Sequence, residues 1–491
     1  MRHQLLCSLT YFILLLFLNV PAVAQIQNTH IVFIEPNGVP DTNKLPVYQR
    51  VTDPQRLKTY HTWLDNDAAR MAISLYERAW QISQSDQAQP PVYYIALLPG
   101  GNNADLGFQL REDEKLVDYS QVPYIKLAPE DWTFTTTFLH ETGHVLLMLL
   151  NGRREIPKQE IASISHTTAA LTDRGTAFDE GFAIHLETLL AHFSSEAMIK
   201  DRYDHQRFLF GLPQIQAEYH RHAADLLTFS QTRARYYEVR ENNFAFAPAF
   251  RGPDYLRVQL EKSRDFASLR DANQLLQAEG FYASFFFSFL VRGNTVPTMQ
   301  LVHERQGKLL VVLAEMFRSR SMAADSPYLL NFIESYLRKY PAEANEIVDL
   351  LMDLSHGVFV DRQAAALWRE HYLGSLRLDL AERNNEKLKT ARAGWRAEVI
   401  KNPSVLYSLL GPQLRCKVPT RSVLLVAFSK PSPLSFDINT VDEGIMRLIP
   451  GISDSEVSSW VLQRSQKPFT DVDDFKKRAG LSEQVLASMR F

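Results

Sequence analysis

The sequence predicts an α+β protein, on three observations. Short β-like runs alternate with one amphipathic helix over residues 25–130, long helical stretches with few strand signals fill 131–402, and a tandem of small helical hairpins closes the chain over 434–491. At 491 residues, 45% hydrophobic and 22% charged, the chain is too long for one small core and too apolar for disorder, so several packed units are expected. Its 53 basic and 56 acidic side chains leave a formal net charge of −3 with no long run of either sign. That balance excludes a general nucleic-acid-binding or polybasic membrane-surface role.

Residues 1–24 read as a signal peptide. Arg2 and His3 form a short polar start, residues 5–18 a mostly apolar stretch of 14, and Ala22-Val23-Ala24 a cleavage-like site before Gln25. A span needs about 20 apolar residues, so an uncleaved anchor is the lesser alternative. The mature chain is expected in the periplasm or outside the cell, with no membrane span after signal removal. Of the two cysteines, Cys7 lies in this leader and Cys416 remains, so the mature chain has no internal disulfide.

Within 25–130, residues 31–34, 92–98 and 122–127 are the strand-like runs, and Pro99-Gly100-Gly101-Asn102-Asn103 is a turn cluster. Residues 63–82 place Ala68, Met71, Leu75 and Ala79 at helical spacing, which makes this an α/β subdomain. In the helical region 131–402, residues 281–291 are almost continuously apolar, 309–317 read as a buried helix and 376–400 as a charged one. Residues 403–433, with Pro403, Pro412, Pro419, Pro431 and Pro433, are expected to form a Pro-rich linker holding an isolated strand at 423–428.

The chemistry is concentrated in His140-Glu141-Thr142-Gly143-His144, an H-E-x-x-H inside an apolar helical run. Histidines at i and i+4 share one helix face, where both imidazoles reach one Zn²⁺ at about 2.0–2.1 Å. Glu141 lies about 100° round the helix, beside the metal, where it can act as general base on an attacking water. Two core histidines satisfied by carbonyls are the bland reading. Against it, polar groups in the middle of so apolar a helix are costly to bury without a purpose. A structural zinc takes four protein ligands and a catalytic one three, so a third ligand should come from downstream. The extended G-x-x-H continuation fails, with Leu147 and Leu150 in its places.

Downstream, Phe178-Asp179-Glu180-Gly181-Phe182-Ala183-Ile184-His185-Leu186-Glu187 offers a second helix rich in candidate ligands. Here the chain resembles the gluzincin metallopeptidases, whose second helix commonly carries an E-G-x-A segment with its first Glu on zinc. The resemblance covers only the two short segments, 140–144 and 179–187. It implies a zincin-like catalytic region with an α/β upper and a mostly helical lower subdomain. By position it makes His140, His144 and Glu180 the zinc ligands and Glu141 the base. The 35 residues between His144 and Glu180 are more than in the better-known members, and loops tolerate such insertion.

Other residues compete for roles. His166 stands between the two helices as a ligand, a proton donor to the leaving amine, or a loop residue. His185 falls off the Glu180 face and reads as structural. Glu187 either hydrogen-bonds a ligand histidine or is a solvated helix residue. Gluzincins often stabilise the oxyanion with Tyr or His; Tyr282 is a candidate, with a core aromatic as the plainer reading.

In 434–491, Pro450-Gly451-Ile452 and Ala479-Gly480-Leu481 place glycine turns between short helices, one of them carrying Val457, Trp460 and Val461. This module looks like the helix-hairpin-helix units of exported competence and secretion proteins. Seven basic and nine acidic side chains give it a net charge of −2, which favours a protein partner or domain packing over DNA, with Lys476-Lys477-Arg478 as the opposing sign. The expected activity is hydrolysis of peptide or protein substrates by an exported zinc peptidase. The alternatives are a non-catalytic zincin-fold binding protein acting through its hairpins, and a DNA-binding factor.

Overall fold

The computed structural model describes residues 30–37, 45–83, 91–158, 172–197, 199, 271–293, 298–361, 364–375, 378–411, 413–418 and, except for 440, 442 and 448, 432–490. The expected signal peptide 1–24, His166 and the expected strand 423–428 lie outside the described residues.

The N-terminal part is built on seven strands: β1 (His30–Pro36), β2 (Val47–Arg50), β3 (Val92–Leu97), β4 (Asn102–Leu106), β5 (Gln109–Glu112), β6 (Lys115–Asp118) and β7 (Pro123–Leu127). Their order is β4-β7-β3-β1-β2-β5-β6. β3 runs parallel to both β1 and β7, while β4 is an antiparallel edge strand on β7. Consecutive residues of β3 enter two different cores. Tyr93, Ile95 and Leu97 pack towards the helices, and Tyr94 and Ala96 join Val32, Tyr48, Phe108 and Tyr124 on the other face. A strand covered on both faces reads as a continuous apolar run, which is why these central strands were visible in the sequence.

The turn reading at Asn102-Asn103 is corrected: these residues open β4. Asn102, Asn103 and Asp105 give the strand a polar composition that imitates a turn, because β4 is the edge of the sheet among the described residues. The helix expected over 63–82 is α2 (Asp67–Ser83), and a further helix ahead of it, α1 (Pro54–Leu64), is capped by the Asp53 carboxylate. Ala68, Leu75 and Ala79 are buried in α2, as the spacing required.

A π-turn at Thr133–Thr137 leads into α3 (Phe138–Leu150), followed by α4 (Arg174–Phe193), α5 (Ala272–Leu275), α6 (Glu279–Val291), α7 (Met299–Ser319), α8 (Tyr328–Lys339) and α9 (Ala344–Leu354). These helices pack with the sheet into one continuous hydrophobic core. Helices α10 (Ala364–Ser375), α11 (Leu378–Lys401) and α12 (Val405–Ser408) follow.

The stretch expected as linker supplies β8 (Gln413–Val418), which pairs antiparallel with β9 (Ser432–Asp437) and with β10 (Met489–Arg490). The terminal unit, expected to be all-α, therefore includes a three-stranded sheet. Its prolines are compatible with pairing because Pro433 sits on β9, an edge strand. Between these strands lie α13 (Glu443–Met446), α14 (Asp454–Gln466), α15 (Val472–Arg478) and α16 (Glu483–Ser488). Gly451 and Gly480 precede α14 and α16 with φ of 82° and 72°, the left-handed turns that glycine adopts without strain. Trp460 is fully buried and donates its indole N–H to the Ile438 carbonyl at 2.8 Å.

Leu410, just ahead of β8, is tied to the centre of the molecule by a polar relay. The Asn273 amide, at the start of α5, donates to the Leu410 carbonyl at 2.8 Å, and Arg174, the first residue of α4, donates to Asn273 Oδ1 at 2.5 Å.

Candidate metal centre

Twelve of the thirteen residues of α3 are buried; the exception, His140, is partly exposed. The helix is pinned to the sheet by Thr142, whose hydroxyl lies 2.9 Å from the Tyr93 hydroxyl, and Tyr93 in turn stacks on Tyr76 of α2 at 4.1 Å. Gly143 sets the approach of α4. A Cβ there would stand 2.5 Å from Ala183 Cα, so the two helices cross at a distance only glycine permits. On the opposite side of α4, a Cβ at Gly181 would meet Tyr282 Cβ at 2.5 Å. The small residues of the E-G-x-A segment thus clamp α4 between α3 and α6, and this fixes the position of Glu180.

Three atoms converge between the helices. His140 Nε2 and His144 Nε2 lie 3.3 Å apart, and Glu180 Oε2 lies 3.4 Å from the first and 3.5 Å from the second. Ligands at 2.0–2.1 Å on a tetrahedral metal are separated by about 3.3–3.4 Å, so this near-equilateral triangle is of a size to hold a metal ion. Among the described residues these three form the one His/Cys/Asp/Glu group able to hold a metal ion.

The far side of each ring faces a carboxylate. His140 Nδ1 is 3.4 Å from Glu187 Oε2, and His144 Nδ1 is 3.0 Å from Asp179 Oδ1. A carboxylate there holds the Nδ1 proton and leaves the Nε2 lone pair for the metal. Of the two readings of Glu187, the structure supports the partner of a ligand histidine. Asp179 has as its sequence signal an acid beside Glu180 in a largely apolar stretch. Lys158, unseen in the sequence, places Nζ 2.6 Å from Asp179 Oδ2 and 3.7 Å from Glu180 Oε1.

Burial by itself drives both rings to the neutral form. The Glu180 and Glu187 carboxylates overcome this at His140 and raise it well above the ordinary histidine range, and Asp179 and Glu180 raise His144 to about 10. Against the cost of burial, His144 and Lys158 hold the Asp179 carboxyl down at about 2. The pocket is thus a strong attractor of positive charge. Glu141 is raised above the usual carboxylate value by burial, opposed by the two histidines and by a backbone hydrogen bond from Ala104 of β4.

These residues open into a cleft of about 680 Å³, lined along one wall by the four consecutive residues Asn102–Asp105. Side chains alternate along a strand, so four in a row mark the edge of β4, not one of its faces. Glu141 lines the same cleft.

No family model, curated protein or solved structure matches the chain. The arrangement of its own residues is what speaks for its chemistry.

Two other expectations are resolved here. Tyr282 is fully buried, packs against Phe178 and donates to the Leu276 carbonyl at 3.3 Å; it is a core residue and does not line the cleft. His185 is fully buried against Phe182 and Phe286, and burial pushes its imidazole down to about 3, so it is a neutral core residue as expected.

Proposed function

We propose that this chain is an exported zinc-dependent peptidase of gluzincin type, with His140, His144 and Glu180 as metal ligands and Glu141 as general base. The observation that carries this reading is the three-atom triangle, with edges of 3.3–3.5 Å, opening beside Glu141 into a cleft. Three protein ligands suit a catalytic zinc, whereas a structural one closes its shell with four.

When bound, zinc supplies Lewis-acid polarisation of the scissile carbonyl and acidifies a water. Glu141 takes the proton of that attacking water and delivers it to the leaving nitrogen. Burial suits it to this work, because a carboxyl raised above its usual value is the better acceptor of the water proton. Asp179 and Glu187 keep the histidine rings in the tautomer that binds metal. Among the described residues β4 is the edge of its sheet, which favours an extended peptide that can add as a further strand and lie across Glu141.

The hairpins argue against nucleic acid as a partner. Turn amides that would hold a phosphate, those of Ser453 and Ser482, donate to the Glu456 carboxylate at 2.8 Å each. A protein partner through 434–491 is the reading they favour.

Glu141→Gln is the test. The variant is expected to retain about one zinc per chain by elemental analysis and to hydrolyse a peptide library roughly 10²–10⁴-fold more slowly. Unchanged hydrolysis, or no hydrolysis by the native zinc-loaded chain, overturns the assignment and turns attention to the hairpins as a binding module.

A further inference from the structure

Lys158 follows α3 in the stretch 152–158 and reaches back over the carboxylates of α4. It divides the oxygens of two acids. Asp179 turns Oδ1 to His144 and Oδ2 to the ammonium, at 3.0 and 2.6 Å. Glu180 turns Oε2 to the point shared by the two histidines, while Oε1 faces Lys158 at 3.7 Å. Among the described residues that line the cleft, Lys158 is the one lysine or arginine.

We propose that Lys158 is a positioning residue that keeps Glu180 a one-oxygen ligand, so that the metal with its water counts four ligands and keeps room for substrate as a fifth. The inference rests on the metal reading given above. A carboxylate can close on a metal through one oxygen or both, and zinc expands readily to five ligands. For both oxygens of Glu180 to bind, the carboxylate must rotate Oε1 towards the histidines and away from the ammonium. The contact with Lys158 opposes that rotation. The same ammonium fixes Asp179, and through it the ring of His144, so one side chain sets two of the three ligands. Its side chain is 28% exposed, so it stands in the cleft wall and not in the core, and removing its charge leaves the packing of α3 on α4 in place.

Cobalt(II) loaded in place of zinc reads coordination directly, since its visible bands are intense at four ligands and weak at five or six. The full chain is expected to give the intense spectrum. Lys158→Met is expected to bind cobalt and lose most of that intensity, and Lys158→Arg to restore it. If Lys158→Met does not fold, by far-UV circular dichroism, Lys158→Gln carries the same expectation. A native-like spectrum in the folded Met or Gln variant overturns the proposal and leaves the metal site standing. A folded variant that no longer binds cobalt also overturns it, because Lys158 would then be needed to hold the metal at all. A native chain that takes up no cobalt or zinc overturns the metal reading, and this inference with it.

Discussion

Glu180 and Glu456 are both helix carboxylates, and their surroundings differ in kind. Glu456, on the first turn of α14, accepts the backbone N–H of Ser453 with one oxygen and that of Ser482 with the other, closing the two glycine turns of the hairpin unit on each other. Glu180 is buried and aims Oε2 at the place where two imidazole nitrogens already converge. The first carboxylate completes a backbone. The second belongs to a set of lone pairs that share one focus, and such a set gains its stability from a cation. The contrast separates groups that build the fold from groups held ready by it.

Metal linkage offers the largest effect with which to break that comparison. At a free zinc concentration about 100 times its dissociation constant, stability should rise by about 2.7 kcal/mol, seen as a higher unfolding temperature. Glu180→Ala should abolish the shift and Glu456→Ala should keep it. A shift that survives in Glu180→Ala would locate the metal elsewhere.

Glycine substitutions sharpen it next. Gly143→Ala would drive a methyl to 2.5 Å from Ala183 Cα, so the helices must part, at about 1–3 kcal/mol and with weaker zinc binding. At Gly451 the nearest atom to a new Cβ is Gln484 Nε2 at 3.8 Å. There only the left-handed backbone opposes alanine, at about 1 kcal/mol and with zinc binding unchanged. Denaturant unfolding paired with zinc titration distinguishes the two, and equal zinc affinities would show that the helix crossing does not set the site.

The smallest effect concerns pH. Hydrogen bonds from Ser453 and Ser482 hold the Glu456 carboxyl at about 2, below its usual 4.5. A depressed carboxyl stabilises the fold above its unfolded value and loses that contribution as pH falls through the folded one. The group is partly exposed, so screening limits the gain to about 0.5 kcal/mol. Native and Glu456→Gln chains should therefore differ by this amount at pH 6 and converge near pH 2; a difference that persists at pH 2 would assign the effect to packing.

How much was legible follows from how local each signal is. His140 and His144 are one helical turn apart, so their shared face is written in the spacing. Glu180 was reachable because Gly181 and Ala183, the small residues that admit neighbouring helices, mark its position. The central strands β1, β3 and β7 show as apolar runs because both their faces are covered. By contrast β4 was taken for a turn, since an edge strand along a cleft carries Asn102, Asn103 and Asp105. Lys158 meets Asp179 only through the path of a loop, and no periodicity encodes that. Tyr282 leaves two readings open for a related reason: a buried tyrosine and a reactive one look alike in sequence, and packing beside Gly181 settles it for the plainer one, a core aromatic.

The relay from Arg174 through Asn273 to the Leu410 carbonyl has a consequence for the order in which the molecule is finished. His140, His144 and Glu180 lie within 41 consecutive residues, yet the N-terminal end of the helix bearing Glu180 is tied to a carbonyl 236 positions after Arg174. A chain emerging from its N-terminus displays all three ligands long before the residue that steadies them. Closure of so long a loop comes late in folding. A chain ended before Leu410 would therefore carry the motif without this tie on the helix that bears Glu180.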